Sequence, residues 1–360
     1  MSGPFGSTAW MANPESGFYG FDISNSLRCN DDDDAYLSIT PSSASNRKTF
    51  TFSFWMKLTN IPTGASMNII GSGANNTDDF MLGMSFDASR SCHFHVLARN
   101  SSSTVIHLET NRAFRDVSSW YHIVVAVNTT ESTNTNRVKI YVNGTQETSL
   151  ATSTYPNQDI DLSINDDDAH YIGTTRDDQT STGNFDGYFA DVNFIDGSAL
   201  TPSSFGELKN DIWIPKNTSG LTFGTNGLRL QFKQSGTGTA SASTIGADTS
   251  GNTNHLTSVN LASTDIVPDS PTNNFATYNG AMRANMTFSE GNLKALGVGN
   301  NYDNIAGTIA FDPTDSRGYY WEWYVVAHDD DTEIGIAKSD NVNFNQSEAS
   351  NPTAHSSDTP

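Results

Sequence analysis

Apolar side chains recur at every second position through much of this chain, in short runs separated by clusters of Asn, Asp, Ser, Thr and Gly. That period belongs to strands that bury one face, and no stretch of useful length keeps the 3.6-residue period of a helix. In Thr49 to Leu58 (TFTFSFWMKL), Phe50, Phe52, Phe54 and Met56 alternate with Thr51, Ser53, Trp55 and Lys57, which predicts a core strand. Tyr36–Ile39, Met67–Ile70, Phe80–Phe86, Cys92–Leu97 and Thr104–Leu108 continue the series. The stretch Trp120 to Gly144 (WYHIVVAVNTTESTNTNRVKIYVNG) reads as a β-hairpin with a polar tip. Its first run is apolar on both faces and belongs inside a sheet. Asn143-Gly144 supplies a tight turn, so a further strand should follow at once. In the return strand, Tyr188, Val192 and Phe194 are predicted on one side, and Leu200-Thr201-Pro202 should open a short helix or turn. Leu221–Phe232 resumes β character. Strands at this spacing predict an all-β, antiparallel β-sandwich enclosing Phe50, Phe52, Phe54, Ile123, Val125, Val138, Ile140 and Val192.

The hairpin followed by FDGYFADVNFIDGSALTPSSF (Phe185–Phe205) resembles the laminin-G/pentraxin branch of the concanavalin A-like lectin/glucanase jelly rolls. Ser26–Lys57 and Asp269–Gly280 (DSPTNNFATYNG) are similar to structural proteins of marine tailed bacteriophages that carry this domain. The resemblance covers about residues 20 to 280. It implies a virion structural or adhesion protein (tail fibre, appendage or capsid-surface component) that assembles with other virion proteins in the host cytoplasm, with host-surface glycan as its candidate ligand; a glycan-processing enzyme and a ligand-free decoration protein are the alternatives. Phage appendages are symmetric homo-oligomers, and a trimer is expected, with contacts through residues 1–20 or 286–360. Gly307–Asn341 (GTIAFDPTDSRGYYWEWYVVAHDDDTEIGIAKSDN) looks like the opening strands of a SPRY-like sandwich, but a SPRY fold needs more chain than remains. The expected organisation is an N-terminal arm over 1–20, the jelly roll with closing strands and linker over 21–280, and a second, partial β-sandwich over 286–360 that belongs to a longer natural chain.

Composition sharpens what the chain can meet. Its 360 residues carry 19 Lys and Arg against 40 Asp and Glu, a formal net charge of -21. Nucleic acid and anionic membranes are therefore not expected partners. The opening residues lack a basic stretch followed by an apolar run, and no stretch of 18 or more apolar residues occurs, so neither a secretion signal nor a membrane span is expected. Cys29 and Cys92 are read as free thiols.

Candidate chemistry is sparse. Retaining glucanases of the superfamily need paired carboxylates, spaced E-x-D-x-E or E-x-D-x-x-E on one strand face, and neither motif occurs here, so no enzyme is expected. Cys92-His93-Phe94-His95 splits its possible zinc ligands between two strand faces. His122 and His170 have no nucleophile that the sequence identifies. Trp55, Trp120 and Tyr121 are assigned to core packing, while Tyr155, Trp213 and Tyr302 are the candidate sugar-stacking rings. Two acidic runs stand out, Asp31–Asp34 and Asp166–Asp168. Asp166 and Asp168, in the loop Asn165–His170, are the candidate calcium ligands; the neighbouring Arg176-Asp177-Asp178 could join them around calcium or a sugar, and solvated turns are the alternative.

Overall fold

The structure is a computed structural model describing residues 18–59, 61, 66–75, 77–86, 92–175, 183–284, 286–297, 304–311 and 321–327. The chain divides into a large unit, Phe18–Phe275, and a smaller one made of Met1–Gly17 and Ala276–Pro360. The arm over residues 1–17, Arg176-Asp177-Asp178, Tyr302 and most of the SPRY-like stretch lie outside the described residues.

The large unit is an antiparallel β-sandwich. In chain order its strands are β1 (Ser26–Cys29), β2 (Tyr36–Ile39), β3 (Thr49–Leu58), β4 (Met67–Asn75), β5 (Asp78–Phe86), β6 (Cys92–Asn100), β7 (Ser103–Ala113), β8 (Tyr121–Asn128) and β9 (Val138–Val142). There follow β10 (Thr145–Gln146), β11 (Leu150–Thr154), β12 (His170–Ile172), β13 (Gly187–Asp196), β14 (Gly206–Lys209), β15 (Ile212–Pro215), β16 (Leu228–Leu230), β17 (Thr257–Val259) and β18 (Ile266–Val267). The first sheet runs β10-β9-β8-β3-β13-β1-β18, with β16 also paired to β13; the second runs β11-β7-β6-β5-β4-β12-β2-β17. Strands far apart in sequence are neighbours here, as a jelly roll requires.

One core lies between the sheets and contains all eight predicted residues. Phe52 stacks on Phe194 with centroids 4.7 Å apart, and Phe50 meets Phe80 edge-on at 5.4 Å, so the aromatic faces of the two sheets interdigitate. β3 has the bounds that its alternation predicts. After β9, Asn143 (φ 48°) and Gly144 (φ 80°) make the expected tight turn into β10.

The return strand departs from the simple alternation. Register slips between Ala190 and Asn193 against β3, with Asp191 at φ 41°. This bulge inverts the phase along β13. Phe189, Val192 and Phe194 face the core, whereas Tyr188 and Ala190 join a second apolar cluster with Trp55 and Trp120. Tyr188 and Val192 are thus on opposite sides. Leu221–Phe232 forms only the three-residue β16, because Gly224 to Gly227 packs tightly against the end of β13 instead of extending the ladder.

In the smaller unit Tyr278–Ala284 pairs with Asn304–Gly307, and Met286–Ser289 with Lys294–Gly297. Trp321 and Trp323 meet edge-on at 6.0 Å, and Trp323 lies 5.4 Å from Tyr278.

Candidate functional site

The outer face of the first sheet is closed. Trp55, Trp120, Tyr188 and Ala190 lie under Phe21, Ile23 and Trp213, and farther along Val124 and Ile195 lie under Phe205 and Phe223. A polar layer is sealed in with them. Lys57 is fully buried, its Nζ held by Asp269 Oδ2 and Asn274 Oδ1, each at 2.9 Å, and by the Phe275 carbonyl at 2.7 Å. The other oxygen of Asp269 accepts from Trp120 Nε1 at 3.1 Å. Burial lowers the Lys57 pKa, with Asp269 opposing the shift.

On this covered face the fold brings Ser53 to His122, with Oγ 2.9 Å from Nε2, a nucleophile partner that the sequence does not reveal. The polarity is wrong for activating a serine. Trp213 Nε1 can only donate, and it does so to His122 Nδ1 at 2.9 Å, so in the neutral ring Nε2 carries the hydrogen and donates to Ser53. Burial pushes the His122 pKa down to about 3, which holds it in that neutral form. Trp213 is thereby a packing residue and not an exposed sugar-stacking ring. Its indole covers Gly144 and Gly206, where a Cβ would fall within 2.6 Å of the ring.

The predicted calcium loop is built into the end of the sandwich. Asp166 Oδ2 lies 2.6 Å from Arg47 Nη1, so its charge is already neutralised by a guanidinium. Asp168 contributes its carbonyl, which accepts from His170 Nδ1 at 2.8 Å, while His170 Nε2 accepts from the Asn165 amide at 2.8 Å. Burial pushes the His170 pKa down to about 4, as a ring with both nitrogens satisfied in neutral form requires. Asp196 organises the neighbouring loops, accepting from Ser45 Oγ, the Asn46 amide, Asn165 Nδ2 and the amides of Thr225 and Asn226. Of the two predicted ligands, Asp166 thus has its carboxylate paired with arginine, and Asp168 is tied into the loop through its backbone carbonyl. Beside these loops a cavity of about 30 Å³ opens between the sheets, lined by Phe52, Ile70, Ile164, His170, Leu228 and Leu256. It has room for water but not for a sugar ring.

Beyond the second sheet no such cover exists among the described apolar clusters. Phe80, Leu82 and Met84 of β5 and Cys92, Phe94, Val96 and Ala98 of β6 enter the core, and the residues between them, Asp79, Met81, Gly83 and Ser85 with His93, His95, Leu97 and Arg99, form the outer face. β7 adds His107 and Glu109, with Glu109 opposite His95 and His107 opposite Leu97. Ser85 Oγ donates to Glu109 Oε1 at 2.7 Å, and Glu109 Oε2 is 3.7 Å from His107 Nε2. Arg99 Nη1 grips Asp79 Oδ2 at 2.7 Å. His95 packs against the backbone of Gly83: a Cβ there would meet the imidazole Cε1 at 2.8 Å and the Met67 carbonyl at 2.9 Å. Burial pushes the His95 pKa down to about 4, and its Nδ1 has no hydrogen-bond partner.

Residues 31–204 match the family model of the concanavalin A-like lectin/glucanases superfamily in its laminin G form. This stretch is similar to a laminin G domain. No curated protein matches the chain in sequence. Among solved structures the chain is similar to a heptameric pentraxin from Limulus polyphemus (16% identity, TM-score 0.38, covering 51% of this chain and 80% of that one). A putative carbohydrate binding protein from Bacteroides ovatus is similar at 14% identity and TM-score 0.41, over 66% of this chain and 58% of that one. Tailspike protein 2 of Escherichia coli O157:H7 bacteriophage CAB120 is similar at 12% identity and TM-score 0.33, over 53% of this chain and 28% of that one. The chain thus spans less than two thirds of the length of the latter two.

The open face offers hydrogen-bonding groups of both kinds: carboxylate from Glu109, hydroxyl from Ser85 and imidazole from His107. Its two acids are far apart. Asp79 and Gly83 are four residues apart on β5, about 13 Å, and Glu109 lies two strands away from Gly83. Glycoside hydrolysis uses carboxyls roughly 5 to 10 Å apart. The rows Gly83-His95-Glu109 and Met81-Leu97-His107 depend on strand register, which no local motif in the sequence announces. The one visible signal is the H-x-H alternation of His93 and His95, which places both on the outer face and Cys92 inside.

Proposed function

We propose that the chain is a non-catalytic, glycan-binding component of a tailed-phage virion, a fibre, appendage or surface protein, which holds host-surface glycan against the open face of β5, β6 and β7. One observation carries this reading. The first sheet buries its outer face under Phe205, Trp213 and Phe223, while the second leaves Ser85, His107 and Glu109 in a cross-strand cluster with no covering segment among the described residues. Sugar hydroxyls both donate and accept, so a carboxylate beside a hydroxyl and an imidazole suits them. The resemblance of Ser26–Lys57 and Asp269–Gly280 to phage structural proteins supports the virion setting. In that setting the protein acts as a homo-oligomer, a trimer, bound to other virion proteins.

Glu109→Gln combined with His107→Ala should lower binding to host surface polysaccharide by about tenfold or more, with the melting temperature within about 2 °C of the parent, because both side chains are partly exposed. Unchanged binding, or release of reducing sugar by the parent, contradicts the reading. Sedimentation of the natural full-length protein at micromolar concentration should show a trimer; a monodisperse monomer is the contrary result.

A further inference from the structure

The segment that closes over β3 brings three reactive groups into one dry place. Lys57 is fully buried, and its Nζ lies 2.9 Å from Asn274 Oδ1 and 2.9 Å from Asp269 Oδ2, residues 217 and 212 positions away in sequence. The Asn274 nitrogen donates to the Ser118 carbonyl at 2.8 Å, which leaves the amide oxygen for the lysine. Since a carbonyl bond is about 1.23 Å long, Asn274 Cγ lies within about 4.1 Å of Nζ, close to the separation of reacting atoms. Asp269 Oδ1 accepts from Trp120 Nε1 at 3.1 Å and from the Phe275 amide at 3.3 Å, and this aims Oδ2 at the lysine.

The surroundings disfavour a charged lysine. Trp55, Trp120, Tyr188 and Ala190 form the apolar cluster on this face, and the Tyr188 ring centroid stands 5.9 Å from Nζ. Burial lowers the Lys57 pKa and so favours the free amine, the nucleophilic form, with Asp269 opposing the shift. An ion pair sealed into such a layer carries the desolvation cost of both charges. Asn274, by contrast, is only half-buried. A small molecule released from its amide has a way out, while water is kept from Nζ.

We propose that Lys57 and Asn274 join in an intramolecular isopeptide bond, with Asp269 carrying the protons. The lysine ammonium gives one proton to Asp269 Oδ2, and the freed lone pair forms the Nζ–Cγ bond while the carbonyl pair moves onto Oδ1. Asp269 hands its proton to Nδ2 and takes a second one from Nζ. The carbonyl re-forms, the Cγ–Nδ2 bond breaks with its electron pair on nitrogen, and ammonia leaves. Nζ has then lost two protons, of which ammonia carries one and Asp269 keeps the other, and nothing is oxidised or reduced. A buried ion pair has become a neutral acid beside an amide, which removes the desolvation cost of the charges. The bond closes residues 57–274 into a ring and fastens the last segment of the large unit to β3, the middle strand of the first sheet. Tension reaching that segment through the chain beyond residue 275 then falls on a covalent bond. This inference is independent of the glycan-binding reading.

The test is mass spectrometry of the folded full chain, denatured for measurement. The intact mass should fall one ammonia below that of the sequence, and a tryptic digest should yield residues 49–90, uncut at Lys57, linked to residues 234–283. Asn274→Ala should keep its full sequence mass, be cut at Lys57, and melt at least about 10 °C below the parent, since it loses a cross-link that closes a long loop. Asp269→Ala, which keeps both reacting groups, should also remain unlinked; if it fails to fold, Asp269→Asn carries the same comparison. The proposal is overturned if the parent has its full sequence mass and is cut at Lys57, which would make the cluster a buried ion pair only. It is equally overturned if Asn274→Ala still yields the linked peptides, or if the parent loses water in place of ammonia with Lys57 joined to Asp269.

Discussion

His122 shows how far a residue's identity is from its role. Histidine within reach of serine suggests nucleophilic chemistry, but the indole of Trp213 fixes the tautomer and burial keeps the ring uncharged, so the pair is a structural hydrogen bond inside an apolar layer. His95 and His170 are held neutral by burial in the same way, with pKa values pushed down to about 4 against an ordinary 6.5. The sign of the pH dependence follows. The unfolded chain takes up these protons first, so the stability they contribute is intact above about pH 6.5 and is lost as pH falls toward 4, by up to about 1.4 kcal/mol per pH unit for each ring. Denaturant titrations of the parent and of His122→Gln at pH 7.5, 6.0 and 5.0 should show the parent losing stability more steeply below pH 6.5. Parallel curves would mean that His122 is not buried neutral.

At the level of the element, β3 carries two functions on its two faces. Phe50, Phe52, Phe54 and Met56 line the core, a set legible directly from the alternation. The other face, Thr51, Ser53, Trp55 and Lys57, reads from the sequence as the more polar side, yet it is buried as well. That burial depends on residues more than a hundred positions away. Asp269, Asn274 and the Phe275 carbonyl close over Lys57, and Trp213 closes over His122. Local period cannot predict which loops will return to cover a sheet, and the same limitation concealed the bulge at Asp191, since one extra residue inverts the phase without changing composition. The strap over Lys57 gives a direct expectation. Lys57→Ala leaves the Asp269 carboxylate buried with only the Trp120 indole and the Phe275 amide as partners, and should cost about 3 to 5 kcal/mol in denaturant unfolding. Lys57→Ala paired with Asp269→Ala should recover part of that loss. A loss below about 1 kcal/mol for the single variant would show that the strap is not clamped at Lys57.

Across the whole large unit, the asymmetry between the two sheets governs the functional reading. The fold, the hairpin, the tight turn at Asn143-Gly144 and the core were legible because they are written in period and turn chemistry. The proposed binding surface was not, because Ser85, His107 and Glu109 come from different strands and meet only through register. The acidic loop Asn165 to His170 ties loop ends together, Asp166 through Arg47 and Asn165 through Asp196. Covalent footprinting of the protein with and without saturating host polysaccharide separates these surfaces in one experiment. The account predicts protection of Met81, His93 and His107 on the open face, with Tyr141 and Trp213 on the covered side unchanged. Protection of Tyr141 and Trp213 with Met81, His93 and His107 unaffected would contradict it.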